Sequence, residues 1–364
     1  MSALRRRLLL LALSAVCLGA QGGSTSPLTK SYEMVKVGEG VYAFISEESL
    51  TTVVSGNSVV VIGDDGALIV DTGSFPTLAR RMIDDIRRKT SQPVRYIVHT
   101  HWHPDHLLGD GEFRQAFPGV VVLSTAFTRD RILDRTVPMV KKNLEKGPAY
   151  AQKLRQQLKQ GKGPDGSLLD AAGKAVWEKA IADIEYALPE YGRASGFVPD
   201  VTFDRDLTVH LGAREVRISF LGRGNTGGDA VVYVPDSKVV ATGDLVVYPT
   251  PYSFGSYPGE WIDTLGKLMA MDATTIVPGH GPVFHDWDYA RTVVQLLEST
   301  RSQVRAAVDA GLDLEATRKR VDLEKFRQRL VGDHPDRNPA FQIGFVTPAV
   351  ERAFQEAKGQ FADE

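Results

Sequence analysis

His99-Thr100-His101-Trp102-His103-Pro104-Asp105-His106 is the stretch that organises the reading of this chain. It holds four of the chain's eight histidines. It follows the short, mainly apolar run Val94–Val98, which predicts a strand. The histidines therefore sit where the chain leaves a sheet, a place where site residues are commonly presented. His101 and His103 are two residues apart, so in extended chain both rings point to one side and can share a metal ion. Asp105 and His106 come next, at the predicted start of a helix over 105–117, and can turn to a second ion. Two-metal hydrolases hold their ions about 3.5–4 Å apart. His99 and His285 are read as structural histidines.

Working outward, three further segments stand in order around this one. Asp71-Thr72-Gly73 follows the predicted strand at 67–71. Gly243-Asp244 follows the predicted strand at 239–242. Pro278-Gly279-His280-Gly281 follows the predicted strand at 275–277. With His101-x-His103-x-Asp105-His106 between the first and second of these, the chain resembles the metallo-β-lactamase fold superfamily, and within it the glyoxalase-II-like branch with a bridging aspartate. The resemblance covers about residues 35–294. It implies an α+β fold, a four-layer αβ/βα sandwich of two stacked β-sheets flanked by helices. It also implies that His101 and His103 bind metal 1, that Asp105, His106 and His280 bind metal 2, that Asp244 bridges them, and that Asp71 orients the histidine loop. The donors are all nitrogen and oxygen. They suit one or two Zn²⁺ and are compatible with Fe or Mn.

The chain departs from the family pattern at one position. The segment that carries another metal-1 histidine reads Gly222-Arg223-Gly224-Asn225-Thr226-Gly227-Gly228-Asp229 here. An amide oxygen is a poorer donor than imidazole for a borderline metal. Two readings stay open: Asn225 ligates or holds a water and metal 1 is weak, or metal 1 is lost. Retention of all the other ligands favours the first.

A bound dication makes hydroxide available at neutral pH. The expected function is therefore an exported hydrolase that attacks an acyl carbonyl of a β-lactam, a lactone or another ester or amide. Asp105 is the expected catalytic residue, orienting the nucleophile and relaying its proton. Thioester hydrolysis of the glyoxalase-II type is an alternative that export disfavours. An exported binding protein with a degenerate metal site is the non-enzyme alternative. Tyr248, Tyr252, Phe254, Tyr257 and Trp261 follow the bridging aspartate within fourteen residues and are candidates for an apolar substrate wall, as is Trp102 between two ligands. The same aromatics are equally readable as packing residues.

Composition agrees with an enzyme of this kind. The 364 residues are 43% hydrophobic and 24% charged, ordinary globular values that exclude a collagen, a disordered tail protein and a disulfide scaffold. Met1–Ala20 reads as a secretory signal peptide, with Arg5-Arg6-Arg7 ahead of the apolar run Leu8–Leu18. The whole chain has 43 Lys+Arg against 45 Asp+Glu; without those three arginines the balance is 40 against 45. An acidic chain has no global footprint for nucleic acid, and a small-molecule substrate is expected. The single cysteine, Cys17, falls within the signal segment, so the exported chain has no thiolate to offer a metal. No later stretch is long and apolar enough to span a membrane. These features place the protein in a periplasm or outside the cell.

The remaining organisation is read as a disordered leader at 21–30, a core domain at 31–300 and a helical C-terminal extension at 301–364. Hairpins are predicted at 34–45 and 58–71. A surface helical insertion at about 125–191 is predicted to break at Gly147-Pro148 and again at 161–166.

Overall fold

The structure is a computed structural model and describes residues 31–47, 54–164, 166–334, 337–338 and 340–361. The expected signal peptide and leader lie outside these residues. The first sheet begins with β1 (Tyr32–Gly38) and β2 (Val41–Ser46), an antiparallel hairpin around Glu39-Gly40. A second hairpin joins β3 (Ser58–Ile62) to β4 (Ala67–Val70). The pairing then turns parallel. Helix α1 (Pro76–Lys89) carries the chain back so that β5 (Val94–Val98) runs beside β4. Pro76 in its first turn and Arg87, Arg88 and Lys89 in its last suit the two ends of a helix. After α2 (Asp110–Ala116), β6 (Val121–Thr125) and β7 (Val201–Phe203) complete a seven-stranded sheet in the order β1 to β7. The second sheet contains β8 (Asp206–Leu211), β9 (Arg214–Phe220), β10 (Ala230–Val234), β11 (Val239–Ala241) and β12 (Thr275–Val277), in the order β12-β11-β10-β9-β8.

Side-chain alternation sorts the strands into two faces. Val41, Ala43, Val59, Val61, Leu68 and Val70 of the first sheet meet Val216, Ile218, Val232, Val234, Val239 and Ala241 of the second in one buried cluster. The intervening residues face outward. Val60, Ile69, Ile97 and Val122 pack on Leu78, Met82 and Ile86 of α1. Val231, Tyr233, Val240 and Ile276 pack on α6 (Pro258–Met269) and α7 (Asp288–Asp309) through Trp261, Leu265, Leu268, Val293 and Leu296. The result is the expected sandwich of two sheets between helical layers.

Three expectations need correction. Residues 105–117 are not one helix. Pro104–His106 is a single tight turn and α2 starts at Asp110. Thr72 N–H donates to His106 O at 2.7 Å and Leu107 bridges to Gly73, so the loop spends its backbone bonds on the neighbouring strand end. Within the insertion, α3 (Ala126–Arg131) and α4 (Val137–Lys159) are followed by α5 (Ala171–Arg193), and α4 runs straight through Gly147-Pro148. Gly147 seats Leu188 of α5: a Cβ there would lie 2.3 Å from that side chain. Packing between the two helices outweighs the cost of the proline. The break at 161–166 is present. The insertion also reaches inward, since Ile132 and Val140 pack with Leu107 and Leu108 under the histidine loop.

The C-terminal helices α8 (Leu314–Arg320), α9 (Glu324–Val331) and α10 (Thr347–Ala357) are as helical as expected. Leu323, Leu330, Phe341 and Phe345 share a buried cluster with the second sheet, so this extension packs as part of the sandwich. Among the described residues, no helix is long and apolar enough to cross a membrane.

Candidate metal centre

Four strand ends converge on one rim of the sandwich. Asp71 follows β4, the histidine loop follows β5, Asp244 follows β11 in the turn Gly243–Leu245, and His280 follows β12. β4 and β5 are parallel to each other, as are β11 and β12, so within each pair the carboxyl ends open on the same side. Asn225 enters from the β9–β10 loop. That loop is anchored by Ala230 N–H donating to Thr100 O at 2.8 Å, and by Asp229, which accepts Thr226 N–H at 2.8 Å.

Two trios of donor atoms form at this rim: His101, His103 and Asp244, and Asp105, His106 and His280. Within each trio the donor atoms lie within 4.8 Å of one another. Asp244 links them. Its Oδ2 lies 3.4 Å from His101 Nε2 and 3.9 Å from His103 Nδ1, while its Oδ1 lies 3.3 Å from His106 Nε2 and 3.7 Å from His280 Nε2. Asp105 Oδ2 closes the second trio, 3.0 Å from His280 Nε2 and 3.5 Å from His106 Nε2. Gly279 makes room for this approach, because a Cβ there would lie 1.9 Å from Asp244 Oδ1.

Hydrogen bonds behind the site fix which nitrogen faces inward. Asp71 Oδ2 accepts the Thr100 hydroxyl at 2.7 Å and His106 Nδ1–H at 2.8 Å, and Asp71 Oδ1 accepts Thr100 N–H at 2.8 Å. The Thr100 hydroxyl, having given its proton to Asp71, accepts from His101 Nδ1–H at 3.0 Å. Nε2 of His101 and of His106 is left as the lone-pair nitrogen, the tautomer a metal needs. His101 Nε2 lies 2.9 Å from His103 Nδ1.

Without an ion the carboxylates around the site favour a proton on His106, which a bound dication would displace from Nε2. Burial pushes His101 down to about 4, against the pull of Asp244. Burial also pulls His106 down, but Asp244, Asp105 and Asp71 outweigh it and hold its pKa well above the ordinary value. Burial alone would raise Asp244; His106, His101 and His280 hold it well below the usual carboxylate range. Asp105 is likewise held low by His106 and His280 against burial.

Asn225 is fully buried, its Nδ2 donates to Tyr252 O at 2.6 Å, and its Oδ1 has no hydrogen-bond partner. Asp244 Oδ1 is also buried without a hydrogen-bond partner. Unpaired buried oxygens are costly unless something cationic or donating satisfies them. Lone-pair nitrogens, carboxylates and orphaned oxygens together fit one or two dications of borderline hardness.

The aromatic candidates divide. Tyr248 and Tyr252 line a pocket together with His280. Phe254 stacks on Tyr252 at 6.3 Å. Trp102 packs against His103 at 4.5 Å, and its carbonyl accepts the Thr136 hydroxyl. Tyr257 and Trp261 do not face the site. Tyr257 is 1% exposed and lies between Arg223 and Arg352, while Trp261 is 0% exposed and donates to Leu245 O. At the start of α6, Trp261 turns into the core against the second sheet, and Tyr257 is covered by Arg223, Arg352 and Phe361. Of the two structural histidines, His99 pairs with Asp110 at 2.8 Å, both fully buried.

Asn57 is a site residue that sequence reading missed. Its Nδ2 donates to Pro278 O and Gly281 O, both at 2.9 Å, and its N–H donates to Gly279 O at 2.7 Å, clamping the loop that carries His280. No spacing signals a contact across 221 residues.

With the geometry described, comparison with known proteins supplies the lineage. The sequence profile of the Metallo-beta-lactamase superfamily matches residues 51–280, and the chain belongs to that family. The chain is 24% identical over 237 residues to the linear primary-alkylsulfatase of Pseudomonas sp. (strain ATCC 19151), a match that spans 60% of this chain and 40% of the alkylsulfatase. It is 21% identical over 236 residues to the metallo-beta-lactamase type 2 of Bacillus cereus, covering 63% of this chain and 68% of that one. Among solved structures, a metallo-beta-lactamase from Pontibacter korlensis aligns over 74% of this chain and 99% of its own, with a TM-score of 0.52 and 22% identity. The DIM-1 metallo-beta-lactamase aligns over 74% and 98%, with a TM-score of 0.50 and 17% identity. At such identities the structural likeness speaks for the fold.

Proposed function

We propose that this protein is an exported metal-dependent hydrolase that attacks an acyl carbonyl, as in a β-lactam, a lactone or another ester or amide. The observation that carries this reading is Asp244, whose two oxygens each face one histidine-rich trio. The hydrolase names of the relatives and the family membership support it. His101, His103, Asp244 and the Asn225 oxygen would hold one ion, and Asp105, His106, His280 and Asp244 the other. Bound dications supply Lewis acidity to a carbonyl oxygen and acidity to water.

The remaining work falls to the chain. Asp71 and Thr100 hold the imidazoles of His106 and His101 in the ligating tautomer. Asp105 is partly exposed, with its carboxylate at 3.0 Å from His280 Nε2, and is placed to orient a water and take its proton. Tyr248 and Tyr252 wall the approach beside His280 and exclude solvent from one side. The site, rather than the fold, has to select the substrate. Export rests on the segment Met1–Ala20 and is tested by sequencing the amino terminus of the protein recovered outside the cytoplasm.

The test of the activity is elemental analysis of the purified protein, followed by a panel of nitrocefin, an acyl lactone, a thioester and an alkyl sulfate, with and without chelator. The expected result is bound dication and chelator-sensitive turnover of a carbonyl substrate. A protein that takes up no dication overturns the proposal. Turnover of the alkyl sulfate alone overturns the acyl assignment.

A further inference from the structure

An amide can turn either of two similar atoms toward an ion, and only the oxygen ligates. At Asn225 the choice is made by the carbonyl of Tyr252, which accepts Nδ2–H at 2.6 Å. A carbonyl only accepts, so the NH₂ group has to face it. Oδ1 is thereby turned the other way, where it is buried without a hydrogen-bond partner. The orientation of Asn225 therefore depends on what holds the Tyr252 carbonyl.

That carbonyl shares a planar peptide unit with the N–H of Ser253. The N–H donates to Gly344 O at 2.8 Å. Fixing one end of the plane fixes the other, so a single peptide unit carries the position of Gly344 to Asn225. Gly344 lies in the wide helical turn Ala340–Val346 and permits this close seating, since a Cβ there would lie 2.9 Å from the Tyr252 ring. Arg352 of α10 supplies a second grip. Its Nε donates to Ser256 O at 2.7 Å, and its guanidinium lies 5.2 Å from the centre of the Tyr257 ring and 4.0 Å from that of Phe361. Tyr257 N–H in turn donates at 2.8 Å to the carbonyl of Gly224, the residue before Asn225. The Ser253 and Ser256 hydroxyls, 2.5 Å apart, tie the two grips together. The loop 252–257 thus holds Asn225 by its side chain and by the preceding carbonyl, and the C-terminal segment holds the loop. That segment lies beyond residue 280, where the family match ends. The metal-2 donors are held by other groups: His106 by Asp71, and the His280 loop by Asn57.

We propose that the C-terminal segment 340–361 is part of the metal centre, and that Gly344 and Arg352 are positioning residues that hold the Asn225 amide, through the Tyr252–Ser253 peptide, with its oxygen toward metal 1. The proposal rests on the reading of Asn225 as a metal-1 ligand. An amide set in this way does not have to be ordered when the ion arrives, which offsets part of its weakness as a donor.

The experiment is zinc titration of the full-length protein against a chromophoric chelator, with Arg352→Ala, Arg352→Lys and Gly344→Ala beside the native chain. In Arg352→Ala and Gly344→Ala the weak step should loosen by about tenfold or more while the tight step stays within about twofold of native. Arg352→Lys keeps the charge and a donor and should recover part of the loss. Melting curves establish that each variant is folded. Folded variants that leave the weak step unchanged, or that loosen both steps alike, overturn the proposal. Asn225→Ala separates the two readings. If it leaves the weak step as in the native protein, or if the native protein has no weak step, the ligand reading fails by itself. Hydrogen exchange of the Asn225 side-chain amide in metal-free protein, followed by NMR, then decides whether the segment positions it. Faster exchange in Arg352→Ala than in the native chain supports the positioning role; equal exchange overturns it.

Discussion

Asp71→Asn isolates the hydrogen bonds behind the metal centre. Asp71 has φ +53°, a left-handed conformation that Asn tolerates as Asp does, so the backbone is spared. The side chain is not. Asp71 accepts three hydrogen bonds, from Thr100 N–H, the Thr100 hydroxyl and His106 Nδ1–H, using both oxygens. An amide offers one acceptor oxygen. If that oxygen stays on Thr100 N–H, the NH₂ group meets His106 Nδ1–H donor to donor. The imidazole escapes by moving its proton to Nε2, the atom that faces Asp244 Oδ1 at 3.3 Å, and there it blocks the lone pair. If the amide flips, its NH₂ group meets Thr100 N–H instead. Losing a hydrogen bond of this kind weakens metal binding by about 10–100-fold, or about 1.4–2.7 kcal/mol. Zinc titration against a chromophoric chelator at neutral pH, on native protein and variant, measures the difference, and circular dichroism monitors the fold. A folded Asp71→Asn protein that binds both equivalents of zinc as tightly as the native chain would refute the tautomer argument.

Three other outcomes are expected. Zinc should bind the native protein in one tight and one weak step, and Asn225→His should tighten the weak step by on the order of tenfold, since imidazole is the better donor and its Nδ1–H can still reach Tyr252 O; two equally tight native steps contradict this. Gly279→Ala drives a methyl group to 1.9 Å from Asp244 Oδ1 and should cost about 1–3 kcal/mol in urea denaturation while weakening metal uptake; native-like stability and affinity count against the placement of Asp244. Metal-free protein should be most stable near pH 6.5, the ordinary histidine value. His101 is neutral in the fold down to about 4, so stability falls as pH drops from 6.5 and the unfolded chain takes up its proton; it falls further in more acid solution as Asp244 and Asp105, held low, protonate. His106, held high, stabilises fully below 6.5, and its contribution is lost as pH rises toward its folded value; melting temperatures that rise without a maximum from pH 4 to 9 in chelator would contradict this assignment.

The chain's local periodicities were enough to place most strands within a residue or two, because alternation is a property of neighbours. β5 and β12 were read at 94–98 and 275–277, where they lie. The ligand types were legible for the same reason: two histidines two apart share a side wherever the chain is extended. The sequence reading went astray where distant parts of the chain decide local shape. Gly147-Pro148 reads as a break, but Leu188 packs there and the helix continues. Tyr257 and Trp261 read equally as pocket walls or as packing residues, and only the structure decides: α6 docks Trp261 on the second sheet, and Tyr257 is covered by Arg223 and Arg352.

What the sequence by itself determined is the chemistry on offer: nitrogen and oxygen donors with no cysteine after Cys17, an amide at Asn225 where the family has a ring, and strands whose alternation requires two covered faces. Only the tertiary structure decided how that chemistry is assembled. It set His106 against His280 across 174 residues, chose Nδ1 of His103 and Nε2 of His101 as the inward nitrogens, left the Asn225 oxygen without a hydrogen-bond partner, and brought Gly344 O to Ser253 N–H. The physical reason is one of range. A repeat of two or 3.6 residues is fixed by covalent geometry over a few bonds, whereas the distance between two strand ends is fixed by how side chains from both sheets fill the space between them.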